Sequence, residues 1–486
     1  MHSLAKLDHR YLWHPFTQMR DWLKSEPVVI VEGRGAVLRD ACGREYLDAN
    51  ASIWTNLHGH RHPRLNTAIR RQLNRVAHSS ALGLANEPAS QLGERLVKAA
   101  VLRPTGSAST PSGKAPAPLA RVFLSDDGST AVEVALKLAY EFARRTGRSP
   151  RPRFLGLQGA YHGDTVGAVS VGHIDLFHRT YAGLLFRTDA VMAPYCYRCP
   201  FNRARPERSD AREYRQCHWE CVDKVEQRVQ RQRLHGHPYA AMVLEPLLQG
   251  AAGMVPQPEG WLARVAEILR ADGVQLIADE VMTGFGRTGV LKKARRVAQP
   301  GLFACHREGV QPDFLAVAKG LTGGYLPMAA TLTTTAVFDA FLGEYDEFKT
   351  FFHGHSFTGN QLGAAAALAS LDLLESPVGI RARAQLEENL RQELARLWTL
   401  PQVGDIRQVG LVAGIELVRN WRTREPFELR ERAGIRVCEA MARRGVLTRP
   451  IGNVVPLLPP YCMSGTQVRK MVGALGDAIV ETLGSA

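Results

Sequence analysis

The chain has 486 residues, 45% hydrophobic and 22% charged, enough apolar material for a large core and for more than one structural domain. No apolar run reaches the roughly 20 residues needed to span a bilayer, and the opening MHSLAKLDHRYLWHPF lacks a signal-type apolar core with a small-residue cleavage site; a cytoplasmic protein with no membrane partner is expected. The net charge of +14 is mostly arginine scattered over many segments, with no long basic block and no zinc-finger or RNA-binding signature, so no nucleic-acid partner is expected either.

Patterned sequence begins by about residue 11. Residues 103–120, RPTGSASTPSGKAPAPLA, are the one low-complexity stretch, with too little bulk to pack; a flexible excursion between a helix and the strand RVFLS is expected there. From about residue 121 to 335 short apolar strands alternate with helices. VFLS, RFLGL, AAMVLEP, VQLIADEV, FLAVA and MAATLTT read as strands buried on both faces, and TAVEVALKLAYEFARR and GWLARVAEILRADG as amphipathic helices. That alternation predicts an α/β fold with a mostly parallel sheet covered by helices. From about residue 370, long helical patterns broken by strands such as LVAGIELV predict a smaller α+β domain.

Four of the eight cysteines cluster as YCYRCP (Cys196, Cys199) and CHWEC (Cys217, Cys221). The spacing C-x2-C-x17-C-x3-C lies near structural zinc patterns. The other reading is a cysteine-bearing surface loop in a reducing compartment, and no metal is assigned.

Ligands of open α/β sheets sit beyond the carboxyl ends of the strands, and three chemically distinct features occupy such ends. In FLSDDGSTAVEVALKLA a strand turns at Gly128 and Ser129 into a helix, whose free N–H groups suit a phosphate; Thr130 and Glu133 have capping-box spacing. A plain strand–turn–helix junction explains the same residues. In VQLIADEVMTGFGRTG, Asp279 ends an apolar strand, where a carboxylate is costly unless paired. It suits a protonated ring nitrogen, or it caps the next turn, or it pairs with Arg287. In FLAVAKGLTGGYLPMAA, Lys319 ends another strand and either snorkels to water or is a desolvated amine that condenses with carbonyls. A phosphate cradle, a buried carboxylate and a buried lysine together are the parts needed to hold pyridoxal 5′-phosphate, and that coincidence favours the desolvated amine.

IADEVMTGFGRTG followed by AVAKGLTGGYLPMAA resembles the class III (ω-type) aminotransferases, of the fold-type I pyridoxal-phosphate group, over about residues 10–480. Within that class YLWHPFTQM, NLHGHRHP, YHGDTVGAVSVG, FFHGHSFTGN and LTRPIG resemble the branch that converts 8-amino-7-oxononanoate to 7,8-diaminononanoate in biotin synthesis. The resemblance implies a large cofactor-binding domain over residues 76–368, with the 103–120 insertion, and a small domain built from residues 1–75 and 369–486. It implies that Lys319 bonds the cofactor aldehyde and moves the proton between donor carbon and cofactor, and that Asp279 faces the pyridine nitrogen. Gly128 and Ser129 would bind phosphate, and Tyr161 would lie over the ring with Asp164 behind it. His355 and Ser356 would reach the cofactor from the other subunit of a homodimer. Arg449 would receive the substrate carboxylate, beside Phe16, Ile53, Trp54 and Gly354.

This sequence departs from the best-known members around the substrate pocket. Phe16 replaces a tyrosine, Ile53-Trp54 replaces two tryptophans, HGHS (His353 to Ser356) replaces HGPT, and Pro456 stands where a tyrosine is usual. These changes resemble a subgroup with lysine, not S-adenosylmethionine, as amino donor, so both donors stay open. Two rival readings are another class III ω-aminotransferase acting on a diamine, an ω-amino acid or GABA, and a non-catalytic basic binding protein.

Overall fold

The computed structural model describes residues 2–102, 116–293 and 296–484. The expected excursion falls mainly on 103–115, outside the described residues, while Leu119 and Ala120 already belong to the strand Leu119–Ser125.

Seven strands form the central sheet in the spatial order 119–125, 329–334, 314–317, 275–279, 239–244, 153–157, 189–191. Six run parallel; only Ala329–Thr334 opposes both its neighbours. The three inner strands Tyr239–Leu244, Gln275–Asp279 and Phe314–Val317 are buried along their whole length, as strands covered on both faces must be. Their side chains alternate between two cores. Val243, Ile277 and Ala316 pack against Ala131, Val132 and Ala135 of the helix Gly128–Arg145. Leu244, Leu276 and Leu315 face the other way, into the core that holds Trp261, Leu262 and Val265 of the helix Trp261–Ala271.

The helix Gly128–Arg145 starts directly beyond a strand end because Asp127 caps it: the Asp127 carboxylate accepts from the Thr130 amide at 3.0 Å, and the Thr130 hydroxyl oxygen accepts from the Asp127 amide at 3.0 Å. The Thr130–Glu133 spacing seen in the sequence is therefore not the capping pair. Glu133 accepts instead from the Gly167 and Ala168 amides, at 2.7 and 3.2 Å, and tethers the start of the helix Val166–Val171.

The two ends of the chain share a sheet. Ile30–Arg34, Val37–Asp40 and Glu45–Asp48 form an antiparallel run, to which Val446–Leu447 adds in parallel opposite Leu47 and Asp48. LVAGIELV lies in the strand Val412–Asn420, paired with Val403–Val409 and Val454–Leu457. No single described helix is long and apolar enough to cross a membrane. The bent pair Gln361–Glu375 and Pro377–Thr399 passes by length and composition, but the first of these packs Ala364, Ala367, Leu371 and Leu374 into the core.

The C-terminal sheet is bolted to the loop Gly250–Met254 by Arg407. Its guanidinium is buried and donates to Gly253 and Met254 carbonyls, to Asp405 at 3.0 Å and to Glu416 at 2.6 Å. Glu416 also accepts from Arg198, and these cations hold its carboxylate below the usual range against the opposing effect of burial. Burial dominates at Asp405, whose Oδ1 has no partner, and pushes it up to about 7. Arg407→Ala leaves the buried Asp405 carboxylate and the Gly253 and Met254 carbonyls without this donor, with Arg198 and Tyr195 still on Glu416, and is expected to lower unfolding free energy by about 3–5 kcal/mol in urea titrations, with the transition losing cooperativity as the C-terminal sheet detaches.

Candidate active site

Three inner strands end on one floor. Asp279 is the last residue of its strand and is buried; its Oδ1 accepts from the Val281 amide at 3.0 Å, so it does cap the next turn. Its Oδ2 is 2.7 Å from Nδ1 of His162, fully buried. Arg287, the alternative partner, is turned away and donates to the Pro459 and Asn56 carbonyls. Burial works against an imidazolium at His162, but the hydrogen bond and charge of Asp279 outweigh it and raise its pKa. The neighbouring strand ends at Leu244, paired with Ala278, so Glu245 arrives beside Asp279. Glu245 is buried, accepts from the Gly250 amide at 2.8 Å and the Tyr161 amide at 3.4 Å, and is pushed up to about 7 by desolvation.

Lys319 follows the third strand, with φ at +42°. The residue as a whole is half-buried, but desolvation of its amine lowers its pKa, while the charges of Asp279 and Glu245 offset part of that loss. This is the desolvated amine, not the snorkelling one. The indole of Trp54 covers its Nζ at 4.7 Å from the ring centroid. Behind it the chain turns tightly through Gly320, Gly323 and Gly324; a Cβ on Gly324 would stand 2.6 Å from the Thr55 carbonyl oxygen.

One wall comes from Tyr161, whose hydroxyl donates to Asp164 at 2.6 Å and whose pKa is raised by burial and then by that carboxylate. The Asp164 amide in turn donates to Ser129 Oγ at 3.3 Å, and a Cβ on Gly163 would lie 2.1 Å from that oxygen. The phosphate-type turn thus touches the Tyr161 segment directly. Gly128 is required on its other side, where a Cβ would meet a Val281 methyl at 2.7 Å. Phe16, also left-handed at φ +48°, lies edge-on to Tyr161 at 6.3 Å, and its carbonyl accepts from Nη2 of Arg449. Ile53 is half exposed beside Trp54.

Lys319, Asp279, Tyr161, Gly128, Ser129, Phe16, Trp54 and Arg449 therefore belong to one connected set. Gly354, His355 and Ser356 are not drawn into it. Gly354 and Ser356 are exposed, and the hydrogen bonds of this segment run to His78, Thr358 and His353. The cysteines stand apart as well. Cys196 and Cys221 are buried, Cys199 and Cys217 half-buried, and all four are reduced; Arg215 donates to Cys217 Sγ at 3.0 Å. Among the described residues no three His, Cys, Asp or Glu side chains are grouped to hold a metal ion. A cavity of about 540 Å³ between Asp210, Glu308, Arg391 and Gln408 contains none of the groups above.

Two buried partners were not evident from the sequence. Glu245 carried a usable signal, as the one charge at the end of the apolar run AAMVL. His162 carried none of that kind, since its partner Asp279 lies 117 residues away.

The family Aminotransferase class-III matches residues 19–479. The adenosylmethionine-8-amino-7-oxononanoate aminotransferase of Geobacter sulfurreducens is 46% identical over 477 residues, covering 98% of this chain and 97% of its own. The crystal structure of the enzyme of that name from Methanocaldococcus jannaschii superposes with a TM-score of 0.85 at 37% identity, over 99% of each chain. An ω-transaminase from Pseudomonas jessenii, solved in complex with PMP, gives 0.84 at 25% identity, again over 99% of each.

The electrostatics of the floor can be checked without any ligand. Glu245 titrates near 7 in the folded chain against an ordinary 4.5, so the folded state keeps a proton that the unfolded chain releases. The stability this contributes is full below the ordinary value and is lost as the pH climbs through about 7. Glu245→Gln is expected to gain roughly 3 kcal/mol on wild type between acid and mildly alkaline buffer, read by urea unfolding at both. Parallel pH profiles for the two proteins would refute it.

Proposed function

The chain belongs to the class-III aminotransferases, and we propose that it transfers an amino group from S-adenosylmethionine to 8-amino-7-oxononanoate, with pyridoxal 5′-phosphate as cofactor. Reducing the 7-oxo group to an amine in this way gives 7,8-diaminononanoate, a step of biotin synthesis, and leaves the donor as its 2-oxo counterpart. The observation that carries the reading is the enclosed Lys319 amine with a lowered pKa, facing Asp279 and Glu245. The names of the 46%-identical relative and of the archaeal structure support the substrate pair.

The residues fit the cofactor. The Gly128 and Ser129 amides head a helix, beside a cradle at Gly163 that any Cβ would fill, and would hold the phosphate. Asp279, itself fixed by His162, would hold a proton on the ring nitrogen, and Tyr161 would pack on the ring. When bound, the cofactor supplies an aldehyde that carries the amino group and a ring that takes up electron density. Lys319 Nζ, uncharged more readily than an ordinary lysine, would hold the aldehyde and then move a proton off the donor's amine-bearing carbon and onto C7 of the acceptor. Trp54, with its ring centroid 4.7 Å from that nitrogen, would shield it from water. Arg449 would release the Phe16 carbonyl and receive the carboxylate of the oxo acid as a bidentate pair, with the apolar faces of Phe16, Ile53 and Trp54 along the methylene chain.

A second copy of the chain would complete the site. Gly354, His355 and Ser356 lie on an exposed face with Phe352 and Phe357, and His78 joins Ser356 to the segment carrying Leu82, 91% exposed. Covering that apolar face with its symmetry mate would bring Ser356 to the neighbour's phosphate.

Purified protein is expected to be yellow, to bleach with borohydride, and to carry the reduced cofactor on Lys319 by peptide mapping. Lys319→Ala loses both halves of the reaction, while Arg449→Ala raises KM for the oxo acid by about 100-fold and spares the donor half. Conversion of the bound cofactor to its amine form by S-adenosylmethionine, followed by discharge on the oxo acid, supports the reading. Conversion by lysine alone corrects the donor, and turnover of diamines or GABA without the oxo acid overturns the acceptor.

A further inference from the structure

Ala51, Ser52, Ile53 and Trp54 have φ of 44°, 48°, 61° and 69°. They form one turn of left-handed helix containing no glycine, closed by hydrogen bonds from the Trp54 amide to the Asn50 carbonyl at 2.8 Å and from the Thr55 amide to the Ala51 carbonyl at 3.0 Å. Side chains with a Cβ resist this conformation, and a β-branched one such as Ile53 most of all. Something must hold the turn, and Asp48 does. This buried carboxylate accepts from the Ser52 amide at 2.9 Å and the Ser52 hydroxyl at 2.8 Å, and His60 Nε2 lies 3.1 Å from it. His60 is steadied through Nδ1 by Asn56 at 3.1 Å.

The turn delivers an indole. Trp54 Nε1 donates to Asn50 Oδ1 at 2.8 Å, and the ring edge seats against Gly250, where a Cβ would lie 3.3 Å from Cζ3. In that seat the ring lies over Lys319 Nζ. The segment leaving the turn then rests on the Lys319 loop, through the Leu57 amide to the Gly323 carbonyl at 3.2 Å and the close approach of Gly324 to Thr55.

We propose that Asp48 is a positioning residue: by fastening the left-handed turn at Ser52 it holds Trp54 as a cover over the Lys319 amine. Asp48 touches neither Lys319 nor the substrate pocket; it acts through Ser52 and the indole. The inference rests on Lys319 being the reacting amine.

The test uses the full chain, freed of bound cofactor, and an amine-reactive sulfonate (trinitrobenzenesulfonate) in alkaline buffer, with labelling of Lys319 followed by peptide mapping. Asp48→Asn is expected to label several-fold faster than wild type and, reloaded with cofactor, to lose about tenfold in kcat with little change in KM for the oxo acid. Ser52→Ala, which deletes only the hydroxyl bond to Asp48, moves labelling the same way and decides the matter where Asp48→Asn does not fold. Ser52→Gly lacks the same hydroxyl but adopts the left-handed dihedral at no steric cost, so it labels more slowly than Ser52→Ala. Combined with Asp48→Asn, it returns labelling toward wild type. Labelling that stays at the wild-type rate in Asp48→Asn and Ser52→Ala, even with a lowered unfolding temperature, makes the brace merely structural and overturns the proposal. Borohydride fixation of the cofactor on wild-type Lys319 is scored separately: its failure sinks the reacting-amine reading, whereas the order of labelling rates still reports on the brace.

Discussion

An amine that is to react with a carbonyl must be stripped of water and yet kept close to charge that can steer its proton. Lys319 meets both demands through its neighbours on the sheet. Desolvation weakens the ammonium, and two carboxylates, Asp279 and Glu245, limit how far. Those carboxylates cannot both be fully charged in so dry a place without help, because unpaired buried charge is costly. The structure gives the help to one of them. Asp279 is hydrogen-bonded to the His162 imidazole at 2.7 Å, while Glu245 feels His162 only at longer range, accepts from backbone amides alone, and is pushed up to about 7 by desolvation. The floor therefore holds one carboxylate paired to an imidazole and one that is readily protonated, which limits the negative charge crowded around Lys319.

Parallel strands make this arrangement cheap to build. Register places Ala278 opposite Leu244 and Asp279 opposite Ala316, so the residues just past each strand end arrive at the same level without any long loop. The second, smaller parallel contact works in the same way. Leu47 and Asp48 pair with Val446 and Leu447, so the brace of the Trp54 turn and the strand leading to Arg449 leave from adjacent positions. Two segments separated by nearly the whole chain are thus brought side by side.

Residues at strand ends were legible in the sequence because each is a polar break in an apolar run. Lys319, Asp279 and the Gly128–Ser129 turn all announce themselves in that way, and the alternation of strands and helices fixed the sheet around them. What stayed hidden lies in tertiary pairing. Nothing near His162 indicates that its partner is Asp279, and the cap on the helix Gly128–Arg145 went to Asp127 because the strand ends at Ser125. The left-handed turn is the sharpest case. Ala-Ser-Ile-Trp has neither glycine nor asparagine, so local preference argues against the conformation it adopts. Contacts with Asp48, Asn50, Gly250 and the Lys319 loop impose it.

Part of the backbone strain falls here. Phe16, the four residues of the turn and Lys319 all hold positive φ, at about 1–2 kcal/mol for each residue. Together that approaches the whole net stability of an ordinary domain, about 5–15 kcal/mol, so these conformations persist only where relaxing one would break another. The interlock is visible. Gly324 lies close against the Thr55 carbonyl, and the Leu57 amide donates to the Gly323 carbonyl at 3.2 Å, so the two strained segments are packed on each other. Relaxing the Trp54 turn would therefore disturb the packing of the Lys319 loop against Thr55 and Leu57 along with the cover above the amine.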